Sequence, residues 1–210
     1  MAMVLMIVGL LLGGLIPTLT AQMESQRINE TRNQLNEIQQ ALIGYAIING
    51  HLPCPADGTI ATGQANAGAK KDACGTNANG GVLPWVTLGV SETDAWGRRF
   101  TYRVTPDFAL AATPFQLTTP SNLNVGLSTA DNGMASGAPA VVVSHGPNGL
   151  GAYTSAGGAP ITGAVGDELD NTDNNNHFVS HDFTPTFDDF VVWLSPNILF
   201  NRMVAAGKLP

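Results

Sequence analysis

Residues 166–176 read Gly-Asp-Glu-Leu-Asp-Asn-Thr-Asp-Asn-Asn-Asn, and four carboxylates fall within seven of them. Charges of one sign held this close repel unless water solvates them or a cation is shared between them. A calcium ion takes six to eight oxygens from carboxylates, amides and backbone carbonyls. The run offers such donors: Asp167, Asp170 and Asp173 are the first ligands expected, with Glu168 and Asn171 behind them. The spacing is not that of an EF-hand, since the D-x-D-x-D-G order and its closing glutamate are missing. A solvated acidic loop is the alternative, and the run is read as neither helix nor strand.

Other chemistry-bearing residues are sparser. His177 and His181 stand four apart with Asp182 adjacent, a spacing that brings two imidazoles to one face for zinc. No HExxH accompanies them, and Phe178 and Val179 beside them read as packing. Ser144-His145 lies at the end of an apolar run, without a G-x-S-x-G elbow or an assignable acid. His51 follows a helix terminus, where it meets the last carbonyls. Cys54 and Cys74 close a loop of about twenty residues. In an oxidising compartment they form a disulfide; otherwise they are two free thiols, and a metal pair lacks further ligands.

These residues need elements to position them, and the first is at the N-terminus. Ala2–Ile16 carries no charge and no strong hydrogen-bonding side chain. At ~1.5 Å per helical residue it falls slightly short of a ~30 Å hydrocarbon core. It is read as a membrane anchor that packs against its own copies, because Gly9, Gly13 and Gly14 let helix backbones approach closely. A signal-peptide core and an ordinary core helix are the alternatives. No basic residue precedes the run, no clear cleavage site closes it, and it is apolar on every side. Pro17 predicts a kink or a local break. Beyond it, Ile28, Leu35, Ile38, Leu42 and Tyr45 form one amphipathic stripe, and Asn49-Gly50 ends the helix.

The rest of the chain reads as short strands in a loop-rich background. Cys54 to Gly81 is a long Gly-, Ala- and Asn-rich loop. Phe100, Tyr102 and Val104 alternate with polar residues as a half-buried strand, introduced by a turn at Asp94 and Gly97. Phe115–Thr118 is a weaker strand candidate. Ala138–Ser144 is a β-branched run suited to a central strand, and Val191–Leu194 is another strand, entered through Asp188-Asp189. Ser195-Pro196 starts a short helix with apolar Leu199, Met203 and Val204, which Gly207 ends.

The N-terminal MVLMIVGLLLGGLIP run followed by an amphipathic helix resembles the type IV pilins and type II secretion pseudopilins. So does Asp94-Ala95-Trp96-Gly97-Arg98-Arg99-Phe100-Thr101-Tyr102, which is similar to the family's D-P-W-G-x-P-Y-x-Y opening of the sheet. Here Ala95 and Arg99 stand where the family commonly has prolines. The family's basic leader and TLIE-like start are not in this sequence; an in-frame leader ending in glycine in the DNA upstream of Met1 is the observation that would test the resemblance. The resemblance implies an α+β, pilin-like fold, with a long N-terminal helix on a small antiparallel sheet and a short C-terminal helix. Residues 1–24 would be the transmembrane and filament-core half of the helix, and 25–210 the globular domain. It also supports Ca²⁺ at the acidic run, since the major pseudopilin carries a calcium loop after the turn that follows its central strand. Ser144-His145-Gly146-Pro147-Asn148-Gly149 leads into the acidic run in similar order.

The function so implied is structural: a subunit waiting in the bacterial inner membrane as a single-pass protein with a periplasmic domain. It would then assemble with its own kind into a helical pilus or pseudopilus filament, periplasmic or extracellular. A separate assembly ATPase would drive this, since the chain has no P-loop. The rival readings are a membrane-anchored periplasmic enzyme of the zinc-hydrolase kind and a tip-located minor pilin or adhesin. A net charge of −7 with nine Lys plus Arg in 210 residues argues against a nucleic-acid partner.

Overall fold

The computed structural model describes residues 2–72, 74, 80–131 and 133–210, with the helical backbone alone for 2–19. Helix α1 (Ala2–Asn49) is one unbroken element of 48 residues. It continues through Pro17, where the sequence predicts a break. An interior proline costs a helix ~3 kcal/mol, which this 48-residue element absorbs without ending there. The helix ends where expected: Gly50 takes φ +79° and its N–H bonds Ala46 O at 2.8 Å.

The inner-membrane, single-pass placement is overturned. Among the described residues no helix is long and apolar enough to cross a membrane. The physical reason is length. The continuous apolar run stops at Pro17-Thr18, short of the ~20 apolar residues that a hydrocarbon core requires.

The C-terminal half of α1 packs on the domain. Leu35, Ile38, Leu42 and Ala46 are buried, and Ile28 lies against the same core. Their three- and four-residue steps make one stripe, so a single helix face meets the sheet. That sheet contains β1 (Gly81–Val82), β2 (Thr101–Val104), β5 (Ala140–Ser144) and β7 (Phe190–Trp193) in the order β1-β2-β5-β7, antiparallel throughout. Helix α2 (Trp85–Leu88) follows β1, and α4 (Pro196–Ala205) follows β7 and returns to α1. The α+β architecture with a small antiparallel sheet is therefore observed.

β5 is central, as its β-branched run predicts, and it is buried on both faces. Ala140 and Val142 join the core under α1, while Val141 and Val143 face a second core with Leu123, Val125 and Phe178. The second core belongs to an unforeseen three-stranded sheet of β4 (Ala135–Ala138), β3 (Leu123–Gly126) and β6 (His177–Val179). β3 pairs antiparallel with β4 and parallel with β6. These strands are short and rich in Gly, Ser and Asn, so they carry little periodicity to read. Phe115–Thr118 forms no strand. Phe115 is buried from a loop, with its ring 4.8 Å from that of Phe108.

Two smaller expectations are also corrected. Ser195 has extended cap dihedrals, but its hydroxyl makes no capping bond. Val204 is exposed, and the apolar face of α4 rests on Leu199 and Met203. The Asp94 turn forms as expected: Asp94 Oδ1 accepts from Trp96 N at 3.0 Å and Arg98 N at 2.9 Å, and Gly97 takes φ +78°.

Cys54 and Cys74 are joined in a disulfide across a separation of 20 residues. Closing a loop of that length removes unfolded-state entropy equivalent to ~3 kcal/mol. Reduction, or Cys74→Ser, is therefore expected to lower the melting temperature by roughly 6–12 °C, at ~2–4 °C per kcal/mol for a chain of this size. Calorimetry with and without reductant checks this, and superimposable curves would contradict it.

Candidate metal centre

The β5–β7 register pairs Ser144 with Phe190. One step beyond that pair, His145 leaves β5 opposite Asp189, which precedes β7. The close approach needs Gly146, at φ +55°: a Cβ there would collide with the Asp188 carbonyl. Helix α3 (Asp167–Asp170) is a single turn that brings Glu168 to the same place. Among the described residues, Glu168, Asp188 and Asp189 place one carboxylate oxygen each within 4.8 Å of one another.

Surrounding groups hold these carboxylates in position. Asn148 donates from Nδ2 to Glu168 Oε1 at 2.7 Å and from its backbone N–H to Asp188 Oδ2 at 3.0 Å. Buried Asn171 donates to Asp189 Oδ2 at 2.8 Å and to Val179 O at 3.1 Å, and accepts from Val179 N at 2.9 Å. It therefore ties α3, β6 and the start of β7 together. The other oxygens, Asp188 Oδ1 and Asp189 Oδ1, are buried without a hydrogen-bond partner. Among the described residues, no Lys or Arg forms an ion pair with the three acids. Burial pushes the Asp188 carboxyl up to about 6, and the charges of Glu168 and Asp189 push it the same way. Three acids and two orphaned oxygens in one spot are the arrangement that a bound cation stabilises.

Glu168 alone of the five expected ligands contributes a carboxylate to this group. Asn171 sits behind it and positions Asp189. Asp167 pairs with His181 Nε2 at 3.2 Å, and Asp170 with His177 Nδ1 at 2.9 Å. Asp173 bonds the backbone and side chain of Asn175 at 3.0 and 2.8 Å. The dispersal follows from α3, where the sequence predicts no helix. A helical turn rotates successive side chains by ~100°, so neighbouring carboxylates point to different partners. His177 and His181 likewise go to separate carboxylates and share no site.

Asp188 and Asp189 were legible only as the approach to a strand. Two adjacent acids immediately before a buried Phe-Val-Val-Trp run are the signal that could have found them, because a carboxylate drawn under by such a strand requires a partner. Compared with protein-family models, curated proteins and solved structures, the chain matches none.

Proposed function

We propose that this protein is a structural subunit of a pilus-like or secretion-pseudopilus filament, in which the N-terminal part of α1 bundles with the same part of other subunits. The observation that carries this reading is the reach of α1. Its buried stripe lies between Thr31 and Ala46, and among the described side chains Ile28 is the first packed on the core, whereas Ala21, Gln22, Met23 and Gln26 are exposed. The helix continues to Ala2, roughly 40 Å beyond the packed segment at ~1.5 Å per residue. About a dozen apolar side chains lie in that part of the sequence, and each gains ~1.5–3 kcal/mol when fully buried. Helices that associate through this run satisfy their backbone internally and need only shape-matched neighbours, which Gly9, Gly13 and Gly14 admit. The helix packed on a small antiparallel sheet and the Asp94–Tyr102 motif support the same reading.

The full chain is expected to sediment as large assemblies, visible as filaments by negative-stain imaging. Leu11→Glu with Leu12→Glu is expected to yield monomers whose domain melts at an unchanged temperature. A full chain that stays monomeric at tens of micromolar would sink the reading.

A further inference from the structure

β7 stands at one edge of its sheet, with β5 on its inner side. Leu194 N donates to Ala140 O at 2.9 Å. With the β5–β7 register, that bond turns the backbone groups of Phe190, Val192 and Leu194 toward β5. Those of Val191 and Trp193 therefore point outward. Gln39 Nε2 covers the Trp193 carbonyl at 2.9 Å. Among the described residues nothing bonds the N–H or the carbonyl of Val191, although Val191 is buried. Buried backbone groups are seldom left unpaired. Edge strands are usually blunted by charge, proline or a bulge, whereas Phe190–Trp193 is regular and wholly apolar.

This edge lies in a groove of about 540 Å³ between α1, at Arg32, Leu35 and Asn36, and residues 180–183. Phe183 stands edge-on to Phe190 in it, with ring centroids 4.8 Å apart. Asp189 lines the same groove at the start of the strand. Its side chain is fully buried and its Oδ1 has no hydrogen-bond partner. His145 Nδ1, 3.6 Å away, is too far to supply one. Arg32 lies over the Phe190 ring, 5.7 Å from its centroid, and among the described residues forms no ion pair.

We propose that the groove between α1 and β7 binds an extended polypeptide segment that carries a lysine or arginine. The segment adds a strand to the β7 edge, so the Val191 N–H and carbonyl and the Trp193 N–H gain backbone partners. Its apolar side chains pack on Leu35 and on the Phe183–Phe190 pair. Its basic side chain pairs with Asp189 and supplies the positive charge that no Lys or Arg among the described residues gives the neighbouring acids. Charge complementarity selects a basic segment: Asp182 and Asp189 line the groove, and a chain of net charge −7 draws cationic segments toward it. The groove belongs to the folded domain, and this proposal stands independently of the filament reading.

The test uses the full chain in buffer containing chelator, with a labelled, end-blocked peptide Val-Lys-Val-Thr-Val as the probe. Fluorescence anisotropy is expected to show saturable binding that weakens about tenfold when norleucine replaces the peptide's lysine, the loss of one charge-assisted hydrogen bond. Methylating alternate peptide nitrogens is expected to abolish binding, and neither peptide change asks a variant protein to fold. Hydrogen exchange is expected to slow at the Val191 and Trp193 amides when the peptide is added, and to stay unchanged along β4, an edge of the other sheet. Val191→Pro is expected to lose the peptide while keeping the melting transition, because the N–H it removes faces away from β5. The proposal is overturned if the peptide does not saturate, if the methylated or norleucine peptide binds like the parent, or if the protected amides lie elsewhere. It is also overturned if the β7 edge is already protected without peptide and more so at higher protein concentration, since a second copy would then fill the groove.

Discussion

Replacing Arg99 by methionine is expected to destabilise the domain by ~3–5 kcal/mol, the usual cost of removing one partner of a buried ion pair. Arg99 is fully buried. Its Nε and Nη2 donate to Glu92 Oε1 at 2.9 and 2.8 Å. Nη1 donates to Gly58 O at 3.0 Å and Ile60 O at 2.8 Å, and Nη2 to Thr62 Oγ1 at 3.0 Å. The guanidinium also lies 4.6 Å from the centroid of the Trp85 ring. One side chain thus joins the strand-opening motif to the 58–62 loop and to α2. Methionine fills much of the volume but leaves two carbonyls without their donor and Glu92 with no cation, only the Thr62 hydroxyl still donating to it. At ~2–4 °C per kcal/mol the melting temperature should fall by roughly 6–20 °C. Arg99→Lys should recover only part of this, because a single ammonium cannot span the fan of acceptors that the planar fork reaches. A loss below about 1 kcal/mol in urea titration of the methionine variant would contradict the assignment.

Leu42→Ala is the second large effect. Leu42 is completely buried where α1 meets the sheet, in one core with Leu35, Ile38, Phe100, Tyr102 and Val142. Truncating a leucine in such a place removes its transfer energy and leaves a cavity that close-packed neighbours only partly fill, a cost of ~2–5 kcal/mol. Ile48, on the same helix but 75% exposed, is the control: its alanine variant should change stability by no more than about 0.5 kcal/mol. If the two variants melt together, the helix is not seated on the sheet through the Leu35–Ala46 stripe. On the proposed filament reading both measurements bear on function as well, since force would pass from the bundled start of α1 to the domain through this interface.

The elements that could be read in advance are those with a local cause. The seven-, three- and four-residue steps from Ile28 to Tyr45 specify an amphipathic helix whatever it packs against, and Asn49-Gly50 stops it because glycine accepts the left-handed conformation found there, φ +79° at Gly50. The Ala138–Ser144 run asks for burial on both faces, and β5 has it. Asp94 and Gly97 make their turn from bonds within five residues. The cysteines could be paired by count, because the chain holds only two.

What the sequence left open depended on partners distant along the chain. Arg99 reads as a polar position at the start of an alternating strand, yet it is wholly buried, because Glu92 and the 58–62 carbonyls fold over it. β3, β4 and β6 have no strong pattern of their own; pairing with one another and covering Val141 and Val143 makes them strands. The acidic run announced its charge but not its geometry, since one helical turn sends Asp167 and Asp170 to separate histidines and only Glu168 inward. Asp188 and Asp189 stand apart from that run in sequence, and tertiary structure sets them beside Glu168 at the start of β7. Local sequence thus determined where the chain turns and which faces are apolar. Which charges meet was decided by tertiary structure, because a buried charge is defined by its partners and they come from other elements.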